Sequence, residues 1–251
     1  HLIPIEIHFA PAGEWVSKLF ALSASPDHLA QVHFYERFEG KELKEESEIY
    51  TSQHLPFIVP EMREGLQEFD WFTKKGDKSL VEYCDLRGCL HNHSTYSDGK
   101  NTLTEMAEAC RDLGLSYFGI ADHSKYAAYA GGLKEEDVLR QHAEIDQLNS
   151  QWTDFQILKG IEADILPDGN LDYDTDVLSS FDYVVASVHA GLVMDLDKAM
   201  SRVIKAIENP YTSILGHPTG RLLLARPGFP LQMSKILDAC KANGVSVELN
   251  A

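Results

Sequence analysis

The sequence predicts an α/β protein whose larger part is a parallel β/α barrel, preceded by a small mixed segment. Three observations predict it. From residue 83 onward, short apolar runs alternate with stretches that have helical apolar spacing. The runs are too continuously apolar to leave one face in water, so they belong to a parallel sheet covered by helices. Run after run ends on a histidine or a carboxylate, at the strand end where β/α barrels carry their active sites.

The elements follow in order. Leu86–Leu90 reads as a strand leading to His91. Thr102-x-x-Glu105 is a capping-box signature. The helix it opens places Leu103, Met106, Cys110 and Leu113 on one side and stops at Gly114. Tyr117–Ala121 is a buried strand ending at Asp122-His123. A helix over about Glu135–Leu148 follows the Gly131-Gly132 turn. Phe155–Lys159 is a strand running into Gly160-Ile161-Glu162-Ala163-Asp164. Tyr183–Val188 ends at His189. Leu196–Glu208 is an amphipathic helix closed by Asn209-Pro210. Thr212–Leu215 ends at Gly216-His217-Pro218. Leu231–Ala242 is a helix stopped by Asn243-Gly244. Val245–Leu249 is a last strand, with Glu248 inside it and Asn250 at its end.

The segment in front is less regular. Ile3 to Phe9 alternates and reads as a strand, and Trp15 to Leu22 has helical spacing. Lys41 to Glu48 is a charge run, the mark of a solvated face. Pro56 and Pro60 make LPFIVPEMREG an extended stretch, because proline disfavours helix at and before its own position. Residues 1–50 are expected to form a small α+β appendage, residues 51–82 a connecting arm, and residues 83–251 the barrel domain.

Composition narrows the class. The chain has 251 residues, 44% of them hydrophobic, enough for a real core. No run reaches the apolar length of a membrane span, and no secretory signal opens the chain. The four cysteines, Cys84, Cys89, Cys110 and Cys240, form no C-x-x-C pair. That usage fits a reducing cytoplasm and opposes a disulfide scaffold. A net charge of −17 opposes non-specific nucleic-acid binding. Carboxylates that bind cations would offset part of it. The chain begins at His1 and stops at Ala251 just after a strand-like run, so both ends read as cut.

The candidate ligands are His91, His93, Asp98, His123, Glu162, His189 and His217. His91 and His93 stand at i and i+2, which in a strand share one face. Asp98 follows in a Ser-Asp-Gly turn. Imidazole with carboxylate suits zinc, manganese or iron. Taken singly, each residue also reads as an ordinary hydrogen-bonded side chain at a strand end. Their shared position is what favours a metal site. Glu162 can bridge two metals, and metals about 3.5–4 Å apart can clamp both oxygens of a phosphoryl displacement. Asp164 reads equally as a cap or as a support for a ligand. Arg221, in GHPTGR, reads as a phosphate contact or a surface arginine. His1, His8, His28, His33, His54 and His142 fall at no strand end and read as surface or packing residues. No Ser-His-Asp elbow, Walker loop or G-x-G-x-x-G occurs, so metals would have to carry the chemistry.

These residues resemble a PHP domain, the polymerase and histidinol phosphatase superfamily. HNHSTYSDG is similar to its first motif, IADHS to its second, GIEADILPDGNLDY to its third, ASVHA to its fourth and LGHPTGRLLLAR to its fifth. The wording ILPDGNLDYD, GHPTGR and VELNA resembles the C-terminal PHP domain of bacterial family X DNA polymerases. Residues 1 to about 50 then resemble the end of a palm and a thumb, and LPFIVPEMREG the join to the PHP domain. The resemblance implies a distorted (β/α)7 barrel holding two to three divalent metal ions. It implies His91, His93 and Glu162 around one metal, Glu162, His189 and His217 around a second, and Asp98 and His123 at a third. His91, His93, Glu162 and His189 would form the catalytic set. The implied activity is metal-dependent phosphoester hydrolysis, in this branch a manganese-dependent 3′–5′ exonuclease.

The chain departs from the pattern in three ways. The family's final Asp-x-His motif is expected beyond Ala251, so the barrel is expected to be incomplete at its C-terminus. Glu6 stands where a palm aspartate is expected, and Ser23-Ala24-Ser25 stands for the thumb's Thr-Gly-Ser, so no polymerase activity is expected. The acidic balance is unusual for a DNA-processing module. The expected partner is a DNA 3′ end. The alternatives are a small phosphomonoester, as for a histidinol-phosphatase-like enzyme, or none, for a degenerate non-catalytic module.

Overall fold

The computed structural model describes residues 5–75 and 80–249. These divide into two compact units, parted after Val81.

The N-terminal unit is helical. Its helices are α1 (Trp15–Leu22), α2 (Pro26–Gln31), α3 (Phe34–Arg37), α4 (Ser47–Thr51) and α5 (Glu68–Lys75). The strand expected over Ile3–Phe9 does not form: its first two residues lie outside the described ones, and Ile5 to Phe9 take no regular structure. Ile5 and Phe9 are 84% and 89% exposed, and a strand needs a ladder partner that the described part of this unit does not contain. Among its described residues the unit contains helices and no strand. Ser25 caps α2 by accepting from the backbone N–H of His28 at 3.1 Å.

Residues 51–75 are not a free arm either. Ile58 joins Phe20, Leu29, Phe34, Ile49 and Tyr50 in one apolar cluster. Arg63 is buried beside them, its guanidinium 4.5 Å from the Phe20 ring centroid and 2.7 Å from Glu46 Oε2. Residues 55–59 around Pro56 take no regular structure, Pro60 opens a short 3-10 turn (Pro60–Met62), and the stretch is free to cover a core.

In the C-terminal unit the described residues form one parallel six-stranded sheet in sequence order. The strands are β1 (Gly88–Cys89), β2 (Tyr117–Ile120), β3 (Gln156–Asp164), β4 (Tyr183–Ser187), β5 (Ile214–Leu215) and β6 (Ser246–Val247). Between them lie α6 (Leu103–Asp112), α7 (Glu135–Gln151), α8 (Thr175–Leu178), α9 (Leu196–Ile207) and α10 (Met233–Asn243). The register is that of parallel neighbours, such as Glu162 opposite Val185 and Ala186 opposite Leu215.

The predicted capping box opens α6: Glu105 N–H donates to Thr102 Oγ1 at 3.2 Å, and Thr102 N–H to Glu105 Oε2 at 2.9 Å. Leu103, Ala107 and Cys110 are buried, but Leu113 is 62% exposed. It occupies the C-cap, where the helical face has already ended.

The sheet is strongly curled. In a flat six-stranded sheet the edge strands would lie about 24 Å apart, five spacings of about 4.8 Å. Instead His91, just past β1, lies 2.7 Å from Glu248, just past β6. The C-terminal strand ends thus converge on one point. No described helix is long and apolar enough to cross a membrane.

Candidate metal centre

The convergence point is the carboxylate of Glu162, 1% exposed. It sits on β3, in the ladder with β4 opposite Val185 on one side and in a bridge with His123 on the other. Five imidazoles surround it. Its Oε1 lies 3.0 Å from His91 Nε2, 3.1 Å from His189 Nε2 and 2.8 Å from His217 Nε2. Its Oε2 lies 3.0 Å from His123 Nδ1 and 3.6 Å from His93 Nε2. The two oxygens divide the cluster, three rings on one side and two on the other.

Asp98 closes the second side, 3.8 Å from His93 Nδ1 and 3.7 Å from His123 Nε2. The rings of His93 and His123 stack with centroids 4.4 Å apart. All seven candidate ligands therefore come together. Three triplets place their ligand atoms within 4.8 Å of one another: His91, His93 and Glu162; His93, Asp98 and His123; His123, Glu162 and His189. His217 joins through its bond to Glu162 rather than through a triplet. Arg221 is exposed and makes no side-chain bond to the cluster.

A second row of carboxylates orients the rings. Asp164, which is fully buried, lies 3.2 Å from His189 Nδ1, so it supports a ring rather than capping a helix. Glu248 does the same for His91, and its Oε2 accepts the backbone N–H of His217 at 2.6 Å. Buried Asp122 accepts from Ser94 N–H, Ser94 Oγ, Ser97 Oγ and Gln141 Nε2, which fixes the turn carrying His93 and Asp98. Sequence reasoning did not assign Glu248 or Asp122 to the site. A lone charged residue in the last strand and an aspartate next to a candidate histidine were the available signals.

Charge is concentrated in this small volume. Burial acts against protonated His91 and His189, yet hydrogen bonds with Glu162 and with Glu248 or Asp164 prevail. They push His91 up to about 9 and His189 up to about 10. Burial would raise the Glu162 carboxyl, but bonds with His189, His217 and His91 hold it far below the usual carboxylate range. Burial lowers His123, with His93 and His189 adding to the effect.

The residues fit divalent cations. His93 Nδ1, His123 Nδ1 and Glu162 Oε2 are buried with no hydrogen-bond partner, although they line a wholly polar cluster. Buried polar atoms are normally satisfied, and a cation among nitrogens and oxygens would satisfy them. The bonds at His91 Nδ1 and His189 Nδ1 place a proton on that nitrogen and leave Nε2 as the ligating atom, the arrangement metal-binding histidines adopt.

Comparison with known proteins places this geometry in a family. The chain is 41% identical over 220 residues to the DNA polymerase/3′-5′ exonuclease PolX of Bacillus subtilis (strain 168), covering 88% of this chain and 38% of that protein. It is 33% identical over 172 residues to a probable phosphatase of Thermoanaerobacter sp. (strain X514), covering 64% of this chain and 62% of the relative. The crystal structure of histidinol phosphate phosphatase from Lactococcus lactis subsp. lactis Il1403 aligns with a TM-score of 0.44 at 15% identity, covering 65% of this chain and 73% of that one. The chain thus spans 38% and 62% of the lengths of the PolX protein and the probable phosphatase, less than two thirds of either. The family model of the PHP domain matches residues 90–251, well over half of the sequence and the whole of the metal-type cluster, and the chain belongs to that family.

Proposed function

We propose that this chain is a divalent-metal-dependent phosphoester hydrolase acting at the 3′ end of a DNA strand. The observation that carries the hydrolase reading is the cluster itself: one buried carboxylate faced by five imidazoles at converging strand ends. When bound there, two to three divalent ions (manganese, zinc or iron) would supply Lewis-acid charge to the phosphoryl oxygens and lower the pKa of water. His91, His93, Asp98, His123, Glu162, His189 and His217 would hold them.

The chain's own residues do the rest. Glu162 offers its two oxygens to the two halves of the cluster and holds them in register. Asp164 and Glu248 hold His189 and His91 with Nε2 turned inward. Asp122 fixes the His93–Asp98 turn, so the site is largely built before substrate arrives. Arg221, on the exposed loop after His217, would be the residue to meet a substrate phosphate.

The DNA 3′ end is supported by the 41% identity to the PolX protein, an alignment long enough to reach beyond the PHP domain. A second reading, hydrolysis of a small phosphomonoester, is supported by the net charge of −17 and the likeness to a probable phosphatase.

One experiment separates them. The protein is incubated with a 3′-labelled single-stranded oligonucleotide and, separately, with a phosphomonoester, in Mn²⁺ or in EDTA, beside a His91→Ala control. Manganese-dependent shortening that is lost in the variant is the expected result. Turnover of the phosphomonoester alone would favour the second reading. No turnover of either by metal-loaded protein would sink both and leave a non-catalytic module.

A further inference from the structure

Of the seven candidate ligands, two hold a backbone that side chains rarely adopt: His91 at φ +60° and His217 at φ +20°. Such conformations persist only where the surroundings impose them. Both histidines bond to the same side chain. Glu248 Oε1 lies 2.7 Å from His91 Nδ1, and Glu248 Oε2 accepts the His217 N–H at 2.6 Å. His91 follows the first strand of the sheet, His217 follows β5, and Glu248 follows β6. Gly216 allows the close approach, since a Cβ there would overlap Ser187 Oγ and Val185 Cγ1.

We infer that Glu248 is the positioning residue of this centre, a single carboxylate that fixes the ring of His91 and the backbone of His217. The inference rests on reading the cluster as a metal site, and goes beyond it by assigning the site's geometry to a residue outside the ligand set. With Nδ1–H donated to Glu248, His91 presents Nε2 to Glu162 and to any metal beside it. With its N–H held by the other oxygen, His217 keeps the turn that brings its own Nε2 to within 2.8 Å of Glu162. A carboxylate suits the task because it has two acceptor oxygens and no donor. A glutamine has one acceptor oxygen and can serve one partner well, not both.

The test compares wild type, E248Q and E248A in the full chain. Three quantities are measured: Mn²⁺ affinity by titration, thermal unfolding without metal, and the His91 Nδ1–H resonance of metal-free protein by ¹H–¹⁵N spectroscopy. E248Q is expected to remain folded, with a modest loss of unfolding temperature, yet bind Mn²⁺ about 10- to 100-fold more weakly, the range for such supporting residues. The slowly exchanging His91 Nδ1–H is expected in wild type and absent in E248A. If E248A fails to fold, E248D, one methylene short, is expected to lose the same resonance. An E248Q affinity within twofold of wild type would overturn the inference. So would a His91 Nδ1–H signal unchanged by the substitutions. If wild type binds no Mn²⁺, the metal reading falls on its own, and the resonance still decides whether Glu248 positions His91.

Discussion

Single side chains explain why both units hold their shape. Asp122 is fully buried and takes four donors on two oxygens. Asp122→Asn turns one acceptor into a donor facing other donors. It should lower the stability of the C-terminal unit by about 1–3 kcal/mol, measured by urea unfolding. In the N-terminal unit, buried His28 lies 2.7 Å from Glu68 and 2.8 Å from the Tyr50 hydroxyl. Burial lowers its pKa below the ordinary 6.5, against the pull of Glu68. The bonds with His28 and Gly65 outweigh burial at Glu68 and lower its carboxyl below 4.5. Both groups bind protons less readily folded than unfolded, so both contribute stability that is complete above their ordinary values and lost as pH falls. The unit should therefore melt at progressively lower temperature as pH drops below about 6.5, with a second decline below about 4.5. Trp15 and Trp71 fluorescence in a Trp152→Phe background reports it. A flat profile between pH 7 and 5 would contradict the assignment. At this level His91, His123, His189 and His217 were legible because each follows a strand that is recognisable by itself, Glu162 because it lies in such a strand, and Asp98 because it sits in a Ser-Asp-Gly turn. Glu248 was not, because its bond to His91 spans 157 residues and exists only once the sheet has curled.

Secondary structure was legible where local chemistry and burial agree. The Thr102 capping box, the Gly114 and Gly244 stops and the apolar runs of β2, β3 and β4 each carry their own signal. Thr102→Ala removes the cap of α6 and should cost about 1 kcal/mol, read from the shift in the urea midpoint. An unchanged midpoint would mean that packing alone holds that helix. Ile161, fully buried beside Glu162 on β3, anchors the strand. Ile161→Ala should cost about 2–5 kcal/mol by the same measurement. The misreadings arose where a pattern had no partner. Alternation in Ile3–Phe9 is a strand signal, but a strand is a pairwise structure, and the exposed side chains of Ile5, Ile7 and Phe9 cover nothing. The prolines near Ile58 were read as a sign of connection, whereas the stretch they punctuate buries Ile58 and, past a short 3-10 turn, Arg63.

Across the whole chain, one arrangement connects sequence to chemistry. A parallel sheet that curls until side chains beyond its two edge strands meet brings histidines from the ends of β1, β2, β4 and β5 onto one carboxylate of β3. Family membership agrees with that arrangement, and the functional account stands on the cluster being a divalent-metal site. The most direct measurement is therefore metal binding itself: equilibrium dialysis of the folded chain against Mn²⁺ and Zn²⁺ with elemental analysis, beside a Glu162→Gln variant of matched circular dichroism. The account predicts two or more ions per wild-type chain, and in the variant fewer ions, held more weakly. A folded wild-type chain that binds no divalent ion, or a variant that binds like wild type, would contradict it.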